Sequence, residues 1–118
     1  MKAKDEVGQR GEATAARYLE ESGLRVIDRN WRCSDGEIDI VALDGDVLVV
    51  VEVKTRSSLD YGHPFEAINE PKLQRLQRLS AAWRRFHHLR IRNHRIDAVA
   101  VIEAADASAT VEYLKAVG

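Results

Sequence analysis

The chain has 118 residues, 45% hydrophobic and 31% charged, with a formal net charge of −1. That balance suits one globular domain over 1–118 with a real core, and the overall charge by itself points to no polyanion partner. No apolar stretch approaches membrane-spanning length and no signal-peptide pattern opens the chain. The single Cys33 excludes an intramolecular disulfide and a multi-cysteine zinc cluster, so a cytoplasmic protein with no membrane partner is expected.

Residues from about Val7 to Glu21 read as a helix stopped by Ser22-Gly23. On a 3.6-residue wheel Gly8, Glu12, Ala15, Ala16 and Leu19 share one face. Glu12 is the charged member of that stripe. It either lies at the edge and reaches solvent or leans over the sheet, and wheel geometry leaves both open.

Leu24 to Arg32 alternates enough for a strand, and Ser34-Asp35-Gly36 turns into a hairpin of Glu37–Leu43 and Val47–Thr55. With Asp44-Gly45 as the turn, Leu43 pairs with Asp46, Asp39 with Val50 and Glu37 with Glu52. Glu37, Asp39, Glu52 and Lys54 then project from one side, with Asp39 a diagonal neighbour of Glu52, roughly 7–8 Å away. A one-residue bulge would send one strand's set to the other face. Val47 to Val51 is apolar on both parities, which suits a central strand covered on both sides. Charges at the end of such a strand are costly to bury unless paired or bound to something charged, so function is sought here first. Two carboxylates and a lysine are the minimum set for holding a divalent metal and a water beside a phosphate.

Ser57 to Pro64 reads as a polar loop just beyond the Glu-Val-Lys strand. Asn69-Glu70-Pro71 starts a second helix whose core stripe is Leu73, Leu76, Leu79, Trp83 and Phe86. Ile96–Ile102 and Val111–Leu114 complete an α-β-β-β-α-β-β order: an α/β fold with one mixed sheet flanked by helices.

Charge is unevenly spread along this order. From Pro71 to Ile96 there are eight basic residues (Lys72, Arg75, Arg78, Arg84, Arg85, Arg90, Arg92, Arg95), three histidines and no Asp or Glu. A local basic stripe on a near-neutral chain is an electrostatic footprint for phosphate, and nucleic acid is the favoured partner. Other chemistry finds little support. His87 and His88 point about 100° apart on a helix, no G-x-S-x-G elbow exists, and no phosphate-binding glycine loop has the right context. Asp97 is a further ligand, a residue at an edge position, or a salt-bridge partner of Arg95 or Arg92.

Gly36-Glu37-Ile38-Asp39 followed by Val51-Glu52-Val53-Lys54-Thr55-Arg56 resembles the PD-(D/E)XK nuclease signature. With Gly8 to Leu19, Gly62 to Lys72 and Arg95 to Val101, the chain more narrowly resembles the YraN-type family over about residues 7 to 103. That resemblance implies a restriction-endonuclease-like fold and similarity to archaeal Holliday junction resolvases. It further implies that Asp39 and Glu52 ligate Mg²⁺ (or Mn²⁺), that Lys54 orients or activates the attacking water, and that Glu12 is the helix-borne acid. Ile38 stands where the superfamily has proline, and Ile96 where an aromatic residue often precedes the aspartate. A metal-dependent endonuclease on structured or branched DNA is therefore expected, acting as a homodimer, with Lys72, Arg75, Arg78 and Arg56 contacting nucleic acid. The alternative is a non-catalytic nucleic-acid-binding protein that keeps the nuclease fold.

Overall fold

The computed structural model describes residues 6–60, 62–106 and 108–118; Tyr61, in the polar loop, lies outside them. Helix α1 (Glu6–Glu21) leads into strands β1 (Arg25–Cys33), β2 (Gly36–Asp44) and β3 (Val47–Arg56). A 3-10 turn at Pro64–Ala67 precedes helix α2 (Glu70–Phe86), and β4 (His94–Glu103) and β5 (Ala109–Leu114) follow. The five strands lie in chain order in one sheet. Only β3 and β4 pair in parallel, as a crossover through α2 requires. The helices cover opposite faces, giving an α/β fold with one mixed sheet. Among the described residues, no helix is long and apolar enough to cross a membrane.

The two apolar parities of β3 explain the layering. Val49, Val51 and Val53 pack beneath Ala15, Ala16 and Leu19 of α1. Leu48 and Val50 pack against Leu76, Leu79 and Trp83 of α2. Helix α2 starts as its sequence demands, with the Asn69 side chain accepting the Lys72 N–H at 3.1 Å. Phe86, read as the last core residue of that stripe, is instead 68% exposed.

The hairpin closes differently from the sequence reading. Asp44 pairs with Val47, so the two-residue turn is Gly45-Asp46 rather than Asp44-Gly45. Gly45 has φ 61, and glycine first in the loop suits a II′ turn as well as Asp-Gly suits a I′. This slip moves each strand by one residue and preserves which residues share a face.

A second irregularity does not. Ile38 packs on the α2 side and Ile40 on the α1 side, although residues two apart in a regular strand share a face. The switch falls at Asp39. Opposite it in β1 stands Asn30, with φ 55, between the paired residues Arg29 and Trp31. Asparagine tolerates this left-handed conformation better than most residues. Both strands kink there together, which keeps their mutual register while exchanging faces. The ladder of β2 with β3 ends at Ile40–Val51, so the two strands part at Asp39. The expectation that Glu37, Asp39, Glu52 and Lys54 share one face is thereby corrected. Glu37 and Asp39 stand with α1, and Glu52 faces α2.

At the far end of β4, Asp97 is fully buried and fully bonded. Its Oδ1 accepts the Arg95 Nε–H at 2.9 Å and the Ala116 N–H at 2.8 Å, and its Oδ2 accepts the Tyr113 hydroxyl at 2.5 Å. Arg95 also reaches Asp44 at 2.9 Å. Of the readings of Asp97, the salt bridge with Arg95 holds. It locks the chain's last residues beside β4, where the Ile96 N–H donates to Gly118 at 2.9 Å.

Candidate metal centre at the fork of β2 and β3

Where β2 leaves β3, the Asp39 side chain fills the place of a backbone partner. Its Oδ2 accepts the Val53 N–H at 2.9 Å, which fixes the orientation of the carboxylate. Carboxylate oxygens of Glu12, Glu37 and Asp39 all lie within 4.8 Å of one another. Glu12 is 4% exposed, so of its two sequence readings the one that leans over the sheet describes the structure.

Glu12 reaches the fork because α1 approaches β3 very closely at Gly11. A Cβ built on Gly11 would lie 1.9 Å from Thr55 Oγ1 and 2.8 Å from Thr55 Cβ. Only a glycine lets the helix backbone sit there. At the outer end of α1 the Arg10 guanidinium pairs with Glu103 through Nη2 at 2.9 Å and Nε at 3.1 Å. Arg32 donates to Glu37 at 2.7 Å.

Across the strand lies a second charged group. Glu52, 4% exposed, places Oε2 at 2.8 Å from Lys72 Nζ and 3.5 Å from Lys54 Nζ. Two ammoniums for one carboxylate leave local positive charge beside the acidic group. An open hollow of about 450 Å³ at the fork is lined by Glu12, Asp39, Lys54 and Arg56, with Gly8 and Ser57 at its margins.

The expected site residues therefore fall into three sets. Glu12, Asp39, Lys54 and Arg56 meet at the hollow. Glu52 and Lys72 pair on the α2 side. Arg75 and Arg78 are exposed farther along α2, with the Arg75 chain passing over the start of β2 near Gly36. Glu37 joins Asp39 and Glu12, a grouping the sequence signals only through its i, i+2 relation to Asp39. Lys72, read as a phosphate contact, is spent on Glu52, and no local pattern announces a pair twenty residues apart.

A model of the uncharacterised protein family UPF0102 matches residues 11–101, which contain the fork, α2 and most of α1. The chain belongs to that family. Relatives bearing the same family name include one from Arthrobacter sp. (strain FB24), 60% identical over 118 residues and 100% of both chains. One from Paenarthrobacter aurescens (strain TC1) is 59% identical over 99% of this chain and 97% of its own. One from Beutenbergia cavernae is 55% identical over 100% of both. The YraN-type likeness of the motifs is thus a UPF0102 membership, and the matched span covers Glu12, Asp39, Glu52, Lys54 and Lys72.

Proposed function

We propose that this UPF0102 chain is a metal-dependent endonuclease that hydrolyses phosphodiester bonds in nucleic acid, with structured or branched DNA the favoured substrate. One observation carries the reading: three carboxylates gathered within 4.8 Å, two of them lining an open hollow, with lysines beside them on Glu52. All-oxygen donors without thiol or imidazole suit a hard divalent cation such as Mg²⁺ or Mn²⁺. Asp39 and Glu12 would hold it with Glu37 beside them, whereas Glu52, expected from the sequence as a ligand, is engaged by lysines on the α2 side. When bound, the ion supplies positive charge for the scissile phosphate and acidifies water there.

The chain's own groups do the rest. The Val53 N–H presents Asp39 in one orientation. Glu52 holds the Lys54 and Lys72 ammoniums in place, and Lys54, lining the hollow, orients water and phosphate. Arg56 at the rim steadies a neighbouring phosphate. A branched substrate presents two scissile strands, so a homodimer with two such sites is part of the proposal, tested by sedimentation.

A cleavage assay over single-stranded, duplex, flap and four-way DNA tests the reading, beside calorimetric Mn²⁺ titration. Asp39→Asn, Glu52→Gln and Lys54→Ala are each expected to lower the rate at least about a hundredfold. Asp39→Asn should also weaken Mn²⁺ binding. A purified protein that binds no divalent ion and cuts none of these substrates would sink the proposal. The second reading, a non-catalytic nucleic-acid binder, draws on the engagement of Glu52 with lysines rather than with the Asp39 group. It predicts salt-dependent binding without turnover under any metal.

A further inference from the structure

The basic run after Pro71 is only partly used within the fold. Lys72 pairs with Glu52, and Arg95 with Asp44 and Asp97. Among the described residues, Arg75, Arg78, Arg84, Arg85, Arg90 and Arg92 make no ion pair. Four basic side chains, Arg84, Arg85, His88 and Arg90, instead surround a shallow hollow of about 580 Å³ at the C-terminal end of α2, with Ala81 and Leu89. No carboxylate lines it. Phe86 and Leu89 beside it are 68% and 41% exposed.

Capping the helix is the ordinary use of cations at such a place, because the last carbonyls carry the negative end of the dipole. Here the backbone has already taken that role. The His87 N–H donates to Trp83 at 3.0 Å, the His88 N–H to Arg85 at 3.1 Å, and the Leu89 N–H to Arg84 at 3.0 Å. This is a Schellman turn with His88 in the left-handed position, φ 54. Arg84 Nε adds one bond to the Ser80 carbonyl at 3.3 Å. Arg85 and Arg90 have no capping duty left. Unneutralised cations held together repel one another, a cost that an external polyanion removes. Burial, and after it Arg84, holds the His94 imidazole below its ordinary value.

We propose that this hollow is a second anchorage for duplex nucleic acid, gripping backbone phosphates at a distance from the fork. The inference rests on the nuclease reading for the location of the reacting strand. Arg84 and Arg85 follow Lys72 by twelve and thirteen positions on one helix. At 1.5 Å per residue that places them about 18–20 Å along the axis. Backbone phosphates recur about every 3.4 Å along a strand, so the span needs about six base pairs. Phosphate contacts of this kind position a duplex without reading its sequence. The exposed Phe86 ring supplies an apolar edge beside the track, suited to sugar packing.

Binding of labelled hairpin DNA to the full chain, followed by fluorescence anisotropy in EDTA, tests this without turnover. Stems of about 4 base pairs, shorter than that span, and of about 20 base pairs are compared across about 50–200 mM salt. The triple variant Arg84→Glu, Arg85→Glu, Arg90→Glu should lose at least about tenfold affinity for the long stem. It should lower the salt slope by about 2–3, near 0.9 per phosphate contact removed. The short stem should change by less than about twofold, since it occupies the fork end and stops short of the hollow. The milder pair Arg85→Gln, Arg90→Gln, at exposed positions, should show the same length dependence at about threefold and guards against misfolding of the triple variant.

Equal losses on both stems, or none on either, overturn the anchorage. So does displacement of the long stem by poly-glutamate at equal charge, which would mark an acidic protein surface as the occupant. If wild type cuts nothing yet the length-dependent loss stands, the nuclease reading fails and the anchorage survives. If Asp39→Asn abolishes cleavage while the arginine variants bind normally, the anchorage alone fails.

Discussion

Gly11→Ala is the substitution whose effect can be worked most directly from the structure. The new methyl would lie 1.9 Å from Thr55 Oγ1, 2.7 Å from Cγ2 and 2.8 Å from Cβ. Rotating the threonine moves its Oγ1 and Cγ2 but not its Cβ, and 2.8 Å is well inside the roughly 3.5–4.0 Å at which carbons meet comfortably. Helix α1 must therefore lift from β3 by about 1 Å at this point, since only that restores an ordinary carbon–carbon separation. Overpacking of this kind costs about 1–3 kcal/mol, against about 1 kcal/mol gained from alanine's helix propensity. A net loss of up to about 2 kcal/mol is expected, read as a lower urea midpoint with an unchanged slope. Because Glu12 is the next residue, the same lift should loosen its grouping with Asp39 and weaken Mn²⁺ binding in calorimetry. Thr55→Gly removes all three opposing atoms, so the double variant should be more stable than the sum of the singles by about 1 kcal/mol or more. A Gly11→Ala protein more stable than wild type by the full propensity gain of about 1 kcal/mol would refute the close approach.

Two further outcomes are expected. Burial, and then its hydrogen bond to Asp97, raises the Tyr113 hydroxyl above the ordinary tyrosine value. The folded state thus holds this proton more tightly than the unfolded chain. Its contribution is complete below about pH 10 and is lost as pH rises further. Urea midpoints measured from neutral to strongly alkaline pH should fall less steeply for Tyr113→Phe than for wild type above that value, and parallel curves would count against the assignment. At the end of α2, His88 is exposed and holds φ 54, a position glycine occupies without steric cost. His88→Gly should stabilise by about 0.5–1 kcal/mol, or roughly 2–6 °C in Tm. A lower Tm would show that the His88 side chain contributes contacts outweighing its backbone strain.

Much of the architecture was legible locally. The small-residue stripe from Gly8 to Leu19 made α1, and the Asn69 cap with Pro71 began α2 where expected. The unbroken valines of β3 announced a strand covered on both sides, and both helices do cover it. The turn was misplaced by one residue because Asp-Gly and Gly-Asp are both good two-residue loops, and only the pairing of Asp44 with Val47 separates them. Phe86 kept the period of a core residue but stands at the exposed end of α2, with edge contacts to Trp31 and His87.

The charged residues divide along the same line. That Asp39, Glu52 and Lys54 need partners follows from residue type and spacing, because charges at the end of an apolar strand are costly to bury alone, whereas the helix wheel left Glu12 open. Which partner each finds does not. The kink at Asn30 and Asp39 turns two carboxylates toward α1, while Lys72, brought back by the crossover, takes Glu52 on the other face. The sequence by itself determined the elements, their order and the residues carrying charge into the core, because capping, periodicity and turn chemistry act over a few residues. Only the tertiary structure decided which face each carboxylate occupies, because a strand's facing depends on whether two neighbours kink together.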